Sequence, residues 1–371
     1  MNFQSLSNQG ANLSQQNFQH QIGQNPLQEL HSIAGVSSYI KSNFRQIDID
    51  GDGRIGRNDV LRMLSQAETQ KVEDTFASAF LYHYRGNRGT KEISLNCQDL
   101  ERMSDPKFSD RAQRTLDQLA KKESVAELYP KHRIDPTTIL QGALVDSKFT
   151  ATLAALAATP EGDKRIKKMI KVNADDSYTV TFPGDPQHPI QVWELTLRDK
   201  IIGSSCADGR LFVTLLERAY ELHRQMMQIT EGRLGLEKDP FELLTGKAAI
   251  KLSTKRNSLL SISSQDMRNR QIILQALKSY KTVTLAIVDD QCAETSGYVI
   301  RRRIAERQAR GFQLRSKHTY ALIDYNENTR MVTVCDASKS AIKDQNGTVQ
   351  GEINIQLSEL ERCFSEISIE A

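Results

Sequence analysis

Cysteine is scarce in this 371-residue chain and follows no pattern: five residues, at 97, 206, 292, 335 and 363, with no CxxC pair. An odd, scattered set excludes a disulfide scaffold or a thiolate zinc site and points to a reducing, cytoplasmic setting. Long apolar runs are missing too. The most apolar stretch, Ala151–Ala158, is far short of the roughly 20 residues that a membrane span needs, so a soluble protein is expected. Neither sign of charge dominates: 49 Lys plus Arg against 46 Asp plus Glu leave +3, which supplies no global field to collect nucleic acid or an anionic membrane. Residues 1–28 hold no charged Asp, Glu, Lys or Arg and no signal-peptide core, while thirteen of them are Gln or Asn. This predicts a polar, disordered lead-in over 1–26. The 39% hydrophobic content is enough for packed cores, and the length suits two to three domains.

Order is expected from Leu27 onward. Leu27, Leu30, Ile33, Val36, Ile40, Phe44 and Ile47 recur at three- and four-residue spacings, as on one helix face. The twelve residues Asp48–Asp59 then place oxygen donors as an EF-hand calcium loop does. Asp48, Asp50 and Asp52 stand at positions 1, 3 and 5, the Arg54 backbone carbonyl at 7 and Asp59 at 12, with Gly53 at the sharp turn and Gly56 at the water-bridged position 9. Four carboxylates this close repel one another unless a hard cation gathers them, so Ca2+ is the expected ligand. Asp59 stands where Glu is usual and is one methylene shorter. Bidentate capture is harder for it, which predicts weaker calcium binding or tolerance of Mg2+. A weaker copy follows, with a helix over 72–84 and a loop over Gly86–Cys97 centred on Ile93 that lacks carboxylates at positions 1, 3 and 5. The expectation is a pair of hands over 27–107, one of them metal-binding. Ser109 reads as the cap of a linker helix within 108–128.

Beyond residue 130 the pattern changes. Residues 147–159 read as a buried helix, Tyr178–Phe182 as a strand, and Thr282–Val288, His318–Tyr325, Met331–Cys335 and Glu352–Gln356 as strands by their alternation. The basic stretch Ile300–Ala309 reads as a solvated helix, since no aromatics interleave with it to stack on bases. The fold class is therefore α+β, with a helical half over 129–275 and a sheet half over 276–371.

Several segments of this region resemble the calpain family. Gln141-Gly142-Ala143-Leu144-Val145-Asp146-Ser147-Lys148, followed by an Ala/Leu-rich helix and Pro160-Glu161, is similar to the family's Q-G-x-L-G-D-C-W nucleophile region. Gly209–Leu222, Phe241–Gly246, Lys317–Leu322 and Gly351–Phe364 resemble further family segments in the same order, so the likeness runs over about residues 120–370. It implies a two-lobed papain-like core that binds a protein or peptide extended between its lobes, with Gln141 as oxyanion donor, position 147 as nucleophile, His318 as base and Asp336 where the family has Asn. Papain-like chemistry needs a thiolate at a helix N-terminus, a base and an orienting group.

Four positions depart from the family pattern. Ser147 replaces the nucleophilic Cys, Val145 a Gly, Lys148 an aromatic residue, and Asp336-Ala337-Ser338-Lys339 the Asn-Pro-Trp-Gly segment. A serine hydroxyl forms no thiolate–imidazolium pair, so cysteine-type catalysis is not expected of the chain as it stands. Three readings stay open: natural loss of catalysis, a protease silenced at position 147, and a Ser147–His318–Asp336 hydrolase on the same fold. An ammonium at Lys148 would crowd the cleft, which favours a calcium-sensing peptide- or protein-binding module over an enzyme.

Overall fold

The computed structural model describes residues 27–65, 71–85, 94–123, 127–142, 147–231, 238–253, 264–287, 314, 317–338 and 351–371. The lead-in over 1–26, Ile93, Val145 and the basic stretch 300–309 lie outside these described residues. The chain mixes helix with antiparallel sheet and divides into two compact units, Met1–Ser124 and Val125–Ala371.

The first unit contains α1 (Ile33–Ser42), α2 (Phe44–Ile47), α3 (Arg57–Ser65), α4 (Val72–Arg85), α5 (Cys97–Glu101) and α6 (Pro106–Glu123). The apolar stripe expected of one helix is split in two at Asn43, whose side-chain amide donates to the Tyr39 carbonyl at 2.9 Å. Leu30, Val36, Ile40 and Ile47 are nevertheless all buried, in a unit whose other buried residues include Phe76 and Phe80 of α4 and Leu100 of α5. Helix α6 starts at Pro106 rather than after Ser109, because proline's fixed φ and missing N–H suit a first turn. It packs on α4 and α1 and buries Ala112, Leu116 and Leu119. The segment expected to be a linker is thus part of this unit's core.

The second unit is built around α7 (Ser147–Ala158), in which ten of twelve residues are buried, Phe149 through Ala157 without a break. A helix with no polar face must be covered all round. Around it come α8 (Gly162–Met169), α9 (Leu197–Ile202), α10 (Phe212–Glu231), α11 (Pro240–Thr245), α12 (Ser264–Lys278) and α13 (Leu360–Cys363). Phe149 stacks on Tyr220 of α10 with ring centroids 4.8 Å apart. The C-terminal end of α7 is closed by Arg133, whose guanidinium donates to the carbonyls of Ala157, Ala158 and Thr159 at 3.2, 2.7 and 2.6 Å.

Among the described residues, eleven short strands form three sheets. β1 (Ile139–Leu140) pairs with β5 (Ser205–Cys206), and β2 (Ile170–Val172), β3 (Tyr178–Val180) and β4 (Ile190–Val192) form a meander. The six-stranded sheet runs β10 (Glu352–Gln356), β9 (Met331–Cys335), β8 (His318–Asn326), β7 (Val283–Ile287), β11 (Glu366–Glu370), β6 (Ala249–Ser253), antiparallel throughout. Alternate residues of β8 serve two cores. Ala321 joins the cluster around α7, while Tyr320 and Leu322 join one with Ile273 of α12 and Phe364. The helical and sheet halves do not part at residue 276, since β6 from the helical half completes the sheet beside β11.

The two halves are also tied by charge. Arg165 of α8 makes a paired contact with Glu370 of β11, at 3.0 and 3.1 Å, and donates to the Thr245 carbonyl at 2.8 Å. The Thr282 hydroxyl donates to Glu370 at 2.7 Å. Burial pushes the Glu370 carboxyl up, but the bonds from Arg165 and Thr282 outweigh it and hold it below the ordinary value. A lowered folded-state value contributes stability above the unfolded carboxyl's pKa that is lost as pH falls through the folded one. Arg165→Met, which leaves the buried carboxylate only the more distant Lys247 ammonium at 3.6 Å as a charged partner, is expected to cost about 2–4 kcal/mol in urea unfolding at pH 7. The deficit should shrink as pH drops below that of a free glutamate, and a deficit independent of pH would exclude the ion pair as its cause.

Candidate functional site

The acidic loop of the first unit follows α2. Asp48, Asp50 and Asp52 offer carboxylate oxygens that all lie within 4.8 Å of one another. The loop is folded by these same groups: the Gly51 and Gly53 amides donate to Asp48 at 3.0 and 2.9 Å, the Asp52 amide to Asp50 at 3.2 Å and the Arg54 amide to Asp52 at 2.7 Å. Gly53 makes the sharp turn at φ +81°, which a side chain would strain. An all-oxygen cluster of this kind suits a hard cation. Asp59 stands apart from it. Its two oxygens accept the Ile49 amide at 3.2 Å and the Gly56 amide at 2.6 Å, so it reaches across the loop with one oxygen and caps α3 with the other. The cap follows from its place, since an Asp at the third helical position reaches back to its own N-cap.

Ile55 pairs through an antiparallel bridge with Leu95, its amide donating at 2.7 Å and its carbonyl accepting at 3.2 Å. The second loop is therefore in register two residues later than a loop centred on Ile93. The shifted register makes the two halves alike: the Asn96 amide donates to Asp99 at 3.0 Å just as the Gly56 amide donates to Asp59. Arg54 spans the pair, bonding the Ser94 carbonyl at 2.8 Å.

In the second unit the structure brings together all four positions singled out around Ser147. Ser147 is the first residue of α7 and is 9% exposed. His318 opens β8, also 9% exposed, and its Nε2 lies 2.9 Å from Asp336 Oδ1. The same carboxylate oxygen accepts the Ser338 amide at 3.0 Å and the Ser338 hydroxyl at 2.6 Å. An oxygen with three such neighbours acts as acceptor, so His318 Nε2 is the donor in this contact. Gln141 enters through its backbone, donating to the Ala337 carbonyl at 2.7 Å. Gly142 follows and donates to Ser204 Oγ at 3.0 Å. A Cβ at Gly142 would lie 2.2 Å from the backbone of Gly203, so only glycine allows this approach.

The Ser147 hydroxyl accepts the backbone N–H of Thr319 at 2.9 Å. Among the described residues, no hydrogen bond joins it to the His318 ring. Sequence reasoning missed Thr319, because a backbone donor leaves no mark in the residue pattern. It also misplaced the effect of Lys148. The Lys148 ammonium bonds Asp239 at 2.7 Å, with Lys251 at 3.5 Å from the same carboxylate, so its charge is matched by the entry to α11 and does not stand over Ser147 unopposed. Burial pushes the Asp239 carboxyl up, but Lys148 and the Phe241 amide hold it below the ordinary value. Asp239 is also the N-cap of α11. Asp239→Asn, which keeps a capping oxygen, is expected to cost under about 1 kcal/mol, and Asp239→Ala about 2 kcal/mol, in chemical denaturation. Equal losses would exclude capping as the larger effect.

No model of a known protein family matches the sequence, and no curated protein matches it either.

Proposed function

We propose that the second unit is a papain-like core of calpain type that has lost cysteine-type cleavage and holds an extended peptide or protein segment, and that the first unit is an EF-hand pair binding one calcium ion. The observation that carries the first part is the state of the Ser147 hydroxyl, bonded to the Thr319 amide and not engaged by His318. A nucleophile with the pKa of a serine needs a base on its proton, and position 147 has none in place. Gln141, Gly142, the α7 N-terminus and the His318–Asp336 pair supply the frame for a bound carbonyl without the attack on it. A second reading, a Ser147–His318–Asp336 hydrolase, draws on the 2.9 Å His318–Asp336 contact.

One experiment separates them. The chain is incubated with fluorescein-labelled denatured casein in the presence and absence of calcium, alongside Ser147→Cys and His318→Ala variants. The expected result is binding without cleavage by the unaltered chain. Cleavage by the unaltered chain that disappears with His318→Ala would establish the hydrolase instead. Cleavage by Ser147→Cys alone would mean that only the nucleophile separates this core from a working protease.

The calcium proposal rests on the three clustered aspartates and the turn at Gly53. Binding to the folded state alone stabilises by about 2.7 kcal/mol at a hundredfold excess over Kd. Calcium is therefore expected to raise the melting temperature of the chain, Asp50→Ala to abolish the rise, and Asp59→Glu to produce it at lower calcium. Magnesium should act only at higher concentration. A melting temperature indifferent to calcium would refute the proposal.

A further inference from the structure

Glu217 of α10 is a carboxylate buried to 2% exposure that the frame around Ser147 does not use directly. Both its oxygens are committed to one residue: Oε1 lies 2.6 Å from Ser204 Oγ and Oε2 accepts the Ser204 amide at 2.5 Å. The Ser204 carbonyl is held in turn by the Thr214 hydroxyl, one helical turn before Glu217, at 2.8 Å. Ser204 is thus clamped at its amide, hydroxyl and carbonyl by a single helix. The hydroxyl so fixed is the group that accepts the Gly142 N–H at 3.0 Å. Gly142 leaves no slack, since its backbone already touches that of Gly203. The path runs from one helix, through one serine, to the segment after β1 that carries Gln141.

Such a commitment of a buried carboxylate is expensive. Burial pushes Glu217 up to about 8, with Asp199 and Glu221 adding like charge nearby, while its bonds to Ser204 pull the other way. Arg198 and Arg218 answer Glu221 and Asp199. A hydrophobic residue would fill the position at less cost, which argues for a task that only a two-oxygen group performs. Both protonation states perform it. Oε2 takes the Ser204 amide in either, and the other oxygen bonds Ser204 Oγ as acceptor when ionised and as donor when protonated.

We infer that Glu217 is a positioning residue: acting through Ser204, it fixes the Gln141–Gly142 segment beside the N-terminus of α7. The inference deepens the peptide-holding reading, in which that segment lines the bound carbonyl, but its first test does not depend on it.

Hydrogen–deuterium exchange of the full chain, read by mass spectrometry, compares the peptide containing 139–142 with peptides from α10. Ser204→Ala and Glu217→Ala are each expected to speed exchange in 139–142 about tenfold, the loss of roughly one hydrogen bond, while α10 keeps its protection. Glu217→Gln, which presents one acceptor and one donor to Ser204 as the protonated carboxyl does, should restore slow exchange. Unchanged exchange in 139–142, or a parallel rise everywhere, would overturn the inference; if Glu217→Ala does not fold, Ser204→Ala and Glu217→Gln decide it. The second measurement is binding of fluorescein-labelled denatured casein, expected to weaken in Ser204→Ala. Faster exchange with unchanged casein binding would leave Glu217 as a positioning residue and remove the peptide-holding reading.

Discussion

A helix made almost wholly of alanine, leucine and small polar residues has no face to offer water, and α7 obliges the second unit to surround it. The six-stranded sheet lies along it through β7 and β8, α10 stacks Tyr220 on Phe149, α11 packs beside it, and Arg133 closes its end. Burying α7 this completely also fixes the position of its first residue to within the tolerance of close packing. The groups around the start of α7 arrive on elements packed against that helix: Thr319 of β8 bonds Ser147, Asp239 at the start of α11 bonds Lys148, and Gly142 follows β1.

The features legible in the sequence were those with strong local periodicity. Alternation placed β8, β9 and β10 within a residue or so of their observed limits, and the apolar run placed α7. What escaped was set by partners distant along the chain. β6 carries Lys251 outward and Ala249 at its start, a weak strand pattern that becomes a strand because β11 pairs with it from Ala249 to Ser253. β11 itself alternates plainly as Glu-Ile-Ser-Ile-Glu, but its place between β6 and β7 is a matter of topology. In the first unit, the bridge from Ile55 reaches Leu95, not Ile93, because register is chosen by main-chain pairing and by the Asn96–Asp99 cap rather than by apolar spacing alone.

The candidate sites divide in the same way. The acidic loop was legible because its donors are close in sequence; Asp59 alone divides its oxygens, one on the Ile49 amide across the loop and one on the cap of α3. Around Ser147, resemblance located Gln141, His318 and Asp336, and the fold gathers them. The electrostatic partners there escaped: Lys148 and the segment around Glu217 stood out in the sequence, but not that Asp239 faces Lys148 or that Glu217 holds Ser204. A buried ion pair or a clamped carboxylate is defined by what lies opposite, and that is known only once the chain is folded.

The position of β11 has a consequence for the order in which this molecule is made. β7 through β10 can form a meander as they emerge from the ribosome, each strand beside its predecessor. β6, synthesised before all of them, has no neighbour until Glu366–Glu370 emerges and inserts between it and β7. Until then two strand edges stand open, the condition in which nascent chains pair wrongly with one another. Five residues made more than a hundred positions after β6 thus decide when the sheet closes, and Arg165, waiting on α8, can meet Glu370 only at that last step.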